Sequence, residues 1–211
     1  RECGALARLI APLDRLFGVP QRADYHPEID AGVHVMMALD HSAQHDYALP
    51  VRFAVLLHYL GKGATPAADL PRHPGHEARS TALVKEVCEQ LKGPAECRDL
   101  ALLMARYHGD IRRGPEMRAA TIDKLLMSCD ALRRPQRFEQ LLEACACDYH
   151  GRLGWEDKPI PEPDLFPSAL AAARSIDAAE IAGCCSDPAQ IPERLHSTRT
   201  AAIKEALGLS H

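Results

Sequence analysis

The sequence predicts an all-α protein, and three observations carry that prediction. Apolar residues recur at three- and four-residue steps along nearly the whole chain, the repeat that gives a helix one buried face. Most Gly and Pro residues fall between those periodic stretches, where they stop helices. No alternating run and no Asn-Gly between β-branched stretches is present, so nothing reads as a hairpin.

The elements follow in order. Leu6, Leu9, Ile10, Leu13, Leu16 and Phe17 form the first helical stretch, stopped by Gly18 and Pro20. Asp30 is placed to cap a second helix carrying His34, Met36, Met37 and Leu39, because a short carboxylate accepts from the free N–H groups of a first turn. Pro50 suits the first turn of a third helix through Val51, Phe53, Ala54, Val55, Leu56 and Leu57, ending near Gly61. Leu83, Val84, Val87 and Leu91 mark a fourth helix, ended by Gly93-Pro94. A fifth covers about residues 95–108, a sixth runs from near Thr121 to Asp130, and a seventh starts at Pro135 and carries Leu141 and Leu142. The segment 158–163 has three prolines and reads as a linker. An Ala-rich helix around residues 168–175 and an amphipathic one around 192–207 complete the chain. The expected organisation is a main helical bundle over residues 1–157, with the linker and a smaller helical appendage over 158–211.

Composition bounds the function. With 25 Lys and Arg against 29 Asp and Glu the net charge is −4, which excludes a strongly basic coat but not a local patch. No run approaches the ~20 apolar residues that span a bilayer. The start, Arg1-Glu2-Cys3-Gly4-Ala5, has neither Met nor the pattern of a signal peptide and reads as a piece of a longer protein. The eight cysteines form no CxxC; without a secretory signal they read as reduced thiols of a cytoplasmic protein.

Histidine is the unusual component, with 11 residues. His34 lies in the first turns of the second helix, His58 at the end of the third, His73 and His76 at the loop entering the fourth, His108 at the end of the fifth, and Asp130 late in the sixth. Helix ends at one rim of a bundle bring such groups together across long sequence distances. Imidazole nitrogens and carboxylate oxygens are ligands for zinc, manganese, iron, cobalt or nickel. His26, His41, His45, His150, His196 and His211 read individually as ordinary core or surface residues, and His73 as a weaker neighbour of His76.

The pattern His34…His58-Tyr59…His76…His108…Asp130 resembles the H…HD…D signature of the HD phosphohydrolase superfamily. The flanking residues are more specific. The stretch from His26-Pro27-Glu28-Ile29-Asp30 to His34, then Val51-Arg52-Phe53-Ala54, Leu60-Gly61-Lys62-Gly63, Arg72-His73-Pro74-Gly75-His76, Arg134-Pro135-Gln136-Arg137 and Gly151-Arg152 are similar to the C-terminal HD domain of bacterial multifunctional CCA proteins. That family comprises tRNA nucleotidyltransferases, whose catalytic head is N-terminal to the region represented here. The resemblance implies an HD-type helical bundle and metal-dependent phosphatase, 2′-nucleotidase and 2′,3′-cyclic phosphodiesterase activity. It implies that His34, His58 and Asp130 hold a divalent ion (nickel, manganese, cobalt, zinc or magnesium), that His76 and His108 meet a second ion or the scissile phosphate, and that Lys62 offsets phosphate charge. Its implied partners are RNA 3′ ends, nucleotide phosphate esters, the N-terminal nucleotidyltransferase region and a second copy of the chain.

One residue departs from the signature. Tyr59 stands where the family has Asp. Tyr is bulky, neutral near pH 7 with a reference pKa of about 10, and a poor ligand for hard divalent ions. Asp110, two residues after His108, is a conceivable substitute carboxylate. Two expectations stay open: an impaired metal-dependent phosphohydrolase, or an inactive helical scaffold for tRNA binding or dimerisation. For RNA contact the interval 98–137 is the candidate. It holds nine basic and five acidic residues, whereas the rest of the chain carries a net charge of −8. Arg112, Arg113, Arg133, Arg134 and Arg137 lie just beyond His108 and Asp130 and suit bidentate phosphate pairing.

Overall fold

A computed structural model describes residues 2–209; Arg1, Ser210 and His211, the last among the histidines expected to be ordinary, lie outside the described residues. The described chain is helical and forms no strand. In chain order the α-helices are α1 Ala5–Leu9, α2 Ala11–Asp14, α3 Ala31–Gln44, α4 Leu49–Leu57, α5 His76–Leu91, α6 Ala95–Arg112, α7 Ala119–Ser128, α8 Pro135–His150, α9 Leu165–Arg174, α10 Ala178–Gly183 and α11 Ile191–Ala206.

Local chemistry explains where these helices differ from expectation. The first stretch breaks into α1 and α2 because Pro12 lacks an N–H and Ile10 leaves helical geometry (φ −141°). Asp30 caps α3 as expected, accepting from Gly32 N at 2.7 Å and Val33 N at 3.0 Å. After α4 the chain tightens into a 3₁₀ turn, Leu60–Ala64, which takes up the Gly-Lys-Gly segment. Helix α10 was not expected, because its six residues are too few for periodicity; Asp177 caps it through Ala179 N and Glu180 N.

The chain folds into two compact units that are not consecutive in sequence. One takes the chain up to Ile111 and resumes over Gln140–Ile160; the other takes Arg112–Glu139 and everything from Pro161. The expected linear boundary at residue 157 lies near the third crossing, but residues 112–139 go with the C-terminal helices.

The first unit is built on Val35, Ala38, Val51, Ala54, Leu57, Leu60, Val84, Leu100, Met104, Leu141 and Ala144, all buried. Two glycines set its closest approaches. A Cβ at Gly61 would sit 2.3 Å from His76 O and 2.5 Å from Ser80 N, so the 3₁₀ turn lies directly on α5. A Cβ at Gly151 would sit 2.5 Å from Ala38 Cα, so the end of α8 lies on α3. His34 is one turn before Ala38 and Asp148 is three residues before Gly151, and that approach brings them together. Loop 20–30 is tied by Gln21 N to Ile29 O at 2.7 Å. The second unit packs α7, α9 and α11 through Ile122, Leu126, Leu170, Ala173 and Ile203, with Phe138 edge-on to Phe166 at 6.0 Å.

Gly61→Ala should destabilise the chain by about 1–3 kcal/mol, since the backbone on both sides must move. Gly93→Ala, where a Cβ would meet nothing within 4 Å, should not. Denaturant midpoints of the two variants check this; equal midpoints would contradict the packing argument.

Candidate functional site

Five of the expected histidine and tyrosine positions converge inside the first unit. His34 projects from α3, His58 caps the end of α4, Tyr59 follows it, His76 begins α5 and His108 lies one turn before the end of α6. Tyr59 is 2% exposed, and its ring centre is the hub. The centroids of His58, His34, His108 and His76 lie 3.9, 5.2, 5.3 and 5.8 Å from it. Lys62 is also buried here, with Nζ 3.1 Å above the Tyr59 ring and donating to Gln21 Oε1. A cation over an aromatic face is favourable, the more so when desolvated.

The carboxylate of the cluster is Asp148, not Asp130. Asp148 Oδ1 lies 2.9 Å from His34 Nε2 and 3.2 Å from His58 Nε2, and Oδ2 accepts from Arg152 Nη2 at 3.3 Å. Asp130 belongs to the second unit, where it sits at a left-handed residue (φ 55°) just past α7. It accepts from Arg133 Nε at 2.6 Å and lies 3.6 and 3.5 Å from Arg134 and Arg137. Three arginines claim its oxygens, so it serves the basic cluster. Arg133 and Arg134 are exposed, their side chains at 83% and 59%, while Arg137 turns inward to Cys129 O. Arg112 and Arg113 are exposed at the start of the same unit. Asp110, the conceivable substitute, lies 3.9 Å from Arg106 along α6.

Two residues join the cluster that the sequence did not single out. His26, expected to be ordinary, is buried, with its ring 4.6 Å from His34 and 5.8 Å from Tyr59. Glu28 Oε1 accepts from His26 Nδ1 at 3.0 Å and lies 2.9 Å from His34 Nδ1; Oε2 accepts from Leu153 N at 3.3 Å. Both lie in the stretch His26-Pro27-Glu28, which ends two residues before the α3 cap. Asp148 left a fainter trace. It is one acid among Ala144, Cys147 and Gly151 on the buried side of α8, with Arg152 four residues on.

The ring hydrogens can be assigned from these partners. His58 Nδ1 donates to Val55 O at 2.6 Å, His76 Nδ1 to His73 O at 2.9 Å and His108 Nδ1 to Met104 O at 2.9 Å. Each neutral ring thereby spends its one N–H on backbone and turns a bare Nε2 inward. His76 Nε2 and His108 Nε2 then face one another at 3.4 Å. His73 is held by Thr65 at 2.8 Å and Pro20 O at 3.1 Å and stays outside the centre.

Burial governs ionisation here. It pushes His26 down to about 3, against its bond to Glu28, and His76 down to about 4, helped by the Lys62 charge. It holds His58 low despite Asp148, and His108 well below its ordinary value. For Asp148 burial works the other way, but its contacts with His34 and His58 and the Arg152 charge prevail and hold it well below the carboxylate range. Glu28 is likewise held low by His26 and His34 against burial. Neutral imidazoles beside ionised carboxylates are metal-ligand chemistry. His34, His58 and Asp148 offer atoms within 4.8 Å of one another, and so do His26, Glu28 and His34. Among the described residues no helix is long and apolar enough to cross a membrane.

The chain is similar to proteins named Multifunctional CCA protein. It is 58% identical over 207 residues to that of Dechloromonas aromatica (strain RCB), covering 98% of this chain and 50% of the relative. It is 55% identical over 211 residues to that of Burkholderia mallei (strain SAVP1), covering all of this chain and 51% of the relative. It is 54% identical over the same length to that of Burkholderia pseudomallei (strain K96243). The chain thus spans about half the length of these curated relatives, matching their C-terminal half. No family model and no solved structure matches.

The metal-free chain should lose stability as the pH falls from 6.5 to about 4. Over that range the unfolded chain protonates its histidines while folded His26 and His76 stay neutral, so unfolding takes up protons. Each such group contributes a slope of about 1.4 kcal/mol per pH unit. From about pH 4 downward the unfolded chain also protonates its carboxylates while folded Asp148 and Glu28 stay ionised, which adds to the loss. Urea midpoints measured across pH check the prediction, and a flat profile between pH 6.5 and 4 would contradict it.

Proposed function

We propose that this chain is the HD-type phosphohydrolase module of a CCA-adding tRNA nucleotidyltransferase. In this reading it hydrolyses 2′,3′-cyclic phosphodiesters, 2′-nucleotides and phosphate monoesters at RNA 3′ ends, with the rate held down by Tyr59. The kinship with multifunctional CCA proteins supports the setting. One observation carries the chemistry. His58 gives its N–H to Val55 O, so a bare Nε2 faces an ionised carboxylate oxygen 3.2 Å away. Two such atoms face one another stably only with a proton or a cation between them, and burial disfavours the proton. A divalent ion (nickel, manganese, cobalt, zinc or magnesium) fits His34, His58 and Asp148, with Asp148 taking the role the sequence assigned to Asp130. Such an ion supplies Lewis acidity toward a phosphoryl oxygen and its attacking water.

The other residues act in their own right. His76 and His108 keep unprotonated nitrogens toward the centre, where either accepts a proton from a reacting hydroxyl. Lys62 supplies a buried positive charge to offset a phosphate. Arg112, Arg113, Arg133, Arg134 and Arg137 take the RNA backbone, and Asp130 fixes the direction of three of them. Tyr59 favours a second reading. Its ring stands among the imidazoles where the family has a carboxylate, as expected of an inactive scaffold kept for tRNA binding or for dimerisation of the parent enzyme with its N-terminal nucleotidyltransferase region.

The deciding measurement is divalent-metal content and 2′,3′-cyclic AMP hydrolysis for the chain and for Tyr59→Asp. The proposal expects both proteins to bind metal and the substitution to raise hydrolysis at least tenfold. If both proteins bind metal but neither hydrolyses the substrate, the scaffold reading holds. If neither binds metal, the ligand assignment is wrong. For the basic cluster, replacing Arg133 and Arg134 with Ala should weaken tRNA binding and flatten its dependence on log salt by about 1–2, one phosphate contact per arginine. An unchanged affinity and slope would remove those two residues from the RNA surface.

A further inference from the structure

His34 is buried with carboxylates at both ring nitrogens. Nε2 faces Asp148 Oδ1 and Nδ1 faces Glu28 Oε1, each at 2.9 Å. The two sides differ. The Asp148 contact has hydrogen-bond geometry. The Glu28 contact has the distance but not the direction, and His34 Nδ1 is left without a hydrogen-bond partner although the side chain is fully buried. A buried polar atom without a partner is expensive. Here a carboxylate oxygen is already within reach and only the angle fails. Atoms that approach closely without pointing at one another point toward a third position.

The surroundings complete that position. His26 Nδ1 lies 3.0 Å from the same Glu28 oxygen, and the His26 and His34 rings stand at 79° to one another. Their nitrogens therefore approach Glu28 from two directions. The His26 and Glu28 side chains are 6% and 2% exposed. The His26, Glu28 and His34 atoms lie within 4.8 Å of each other. Zinc–nitrogen and zinc–oxygen bonds of about 2.0–2.2 Å imply a tetrahedral edge of about 3.3 Å, so the present spacing needs to open by only a few tenths of an ångström. The backbone is committed to presenting Glu28: Ile29, a β-branched residue, is held in the left-handed region (φ 61°), where such a residue stays only if its surroundings force it. On the far side of His26, Nε2 lies 3.4 Å from Tyr59 Oη, which gives that nitrogen a proton acceptor when Nδ1 is needed bare.

We propose that His26, Glu28 and His34 Nδ1 form a second transition-metal site, joined to the His34–His58–Asp148 set through the two nitrogens of one imidazole. Two His and one Glu with a fourth position open is a borderline-ion site, suited to zinc, cobalt, nickel or copper. An imidazole that binds an ion at each nitrogen carries no ring proton, so filling both sites sends the His34 ring protons to bulk water and binding is accompanied by proton release. The proposal rests on the reading of His34, His58 and Asp148 as ligands, and its test separates the two.

Zn2+ binding is measured by titration calorimetry and elemental analysis on the full chain, with thermal melts of each variant as a folding control. The expected result is two equivalents for the unsubstituted chain, one for Glu28→Gln and for His26→Gln, one for His58→Gln, and none for His34→Ala. Two equivalents in Glu28→Gln overturns the proposal. One equivalent in the unsubstituted chain, lost in His58→Gln but kept in Glu28→Gln, also overturns it, leaves the phosphohydrolase site intact and makes Glu28 a positioning residue. One equivalent lost in Glu28→Gln and kept in His58→Gln supports the new site and sinks the other. A measurement without substitutions guards against variants that do not fold. Two Cu2+ ions sharing one imidazolate are magnetically coupled, so the paramagnetic resonance signal should fall as the second equivalent is added. Two independent signals of full intensity would overturn the shared His34.

Discussion

The first unit is organised around the cost of burying one carboxylate. Asp148 is removed from water on a helix face that is otherwise apolar, and an ion there survives only with partners on every side. His34, His58 and Arg152 supply them from α3, the end of α4 and one turn further along the chain. That need explains the close approach at Gly151, because α3 must lie on the end of α8 for His34 to reach the carboxylate. It also explains why Arg152 is buried between α8 and Trp155 rather than extended into solvent. Removing Asp148 would leave a buried guanidinium without its carboxylate and two imidazoles without the oxygen they face.

A second regularity follows from the first. Where a site needs lone pairs directed inward, the ring protons must go elsewhere, and here they go to backbone carbonyls one turn away. His58, His76 and His108 use the same device from three different elements. The carbonyls serve because each histidine lies at or near a helix end, or one turn along a helix whose ladder can share an acceptor. The arrangement needs no second layer of acidic side chains. Glu28 and Asp148 are then left to act directly on His34.

Much of this was legible in the sequence. Helical periodicity and the Gly and Pro breaks placed most helices, and the spacing of His34, His58, His76 and His108 anticipated a common centre. Three features of the site were not legible. Asp130 occupied the expected place in chain order but lies in a turn surrounded by arginines, whose attraction is a property of three-dimensional proximity. Asp148 was hidden because one acid on an apolar helix face looks like a solvated residue until the helix is known to be buried. His26 and Glu28 sit in a loop where periodicity gives no information, and their inward direction depends on Ile29 adopting a conformation that its side chain disfavours. The unit boundaries escaped for a related reason: α7 makes its contacts with helices more than 40 residues further along.

The ammonium stacked on Tyr59 has a consequence for substitution at that position. Lys62 is buried against the Tyr59 ring and donates to Gln21, so its charge is met by neutral groups. Exchanging that ring for a carboxylate would replace attraction to a quadrupole by attraction to a full charge, so the neighbour most exposed to the change would be stabilised by it. A carboxylate at position 59 would thus meet a positive charge already buried beside it.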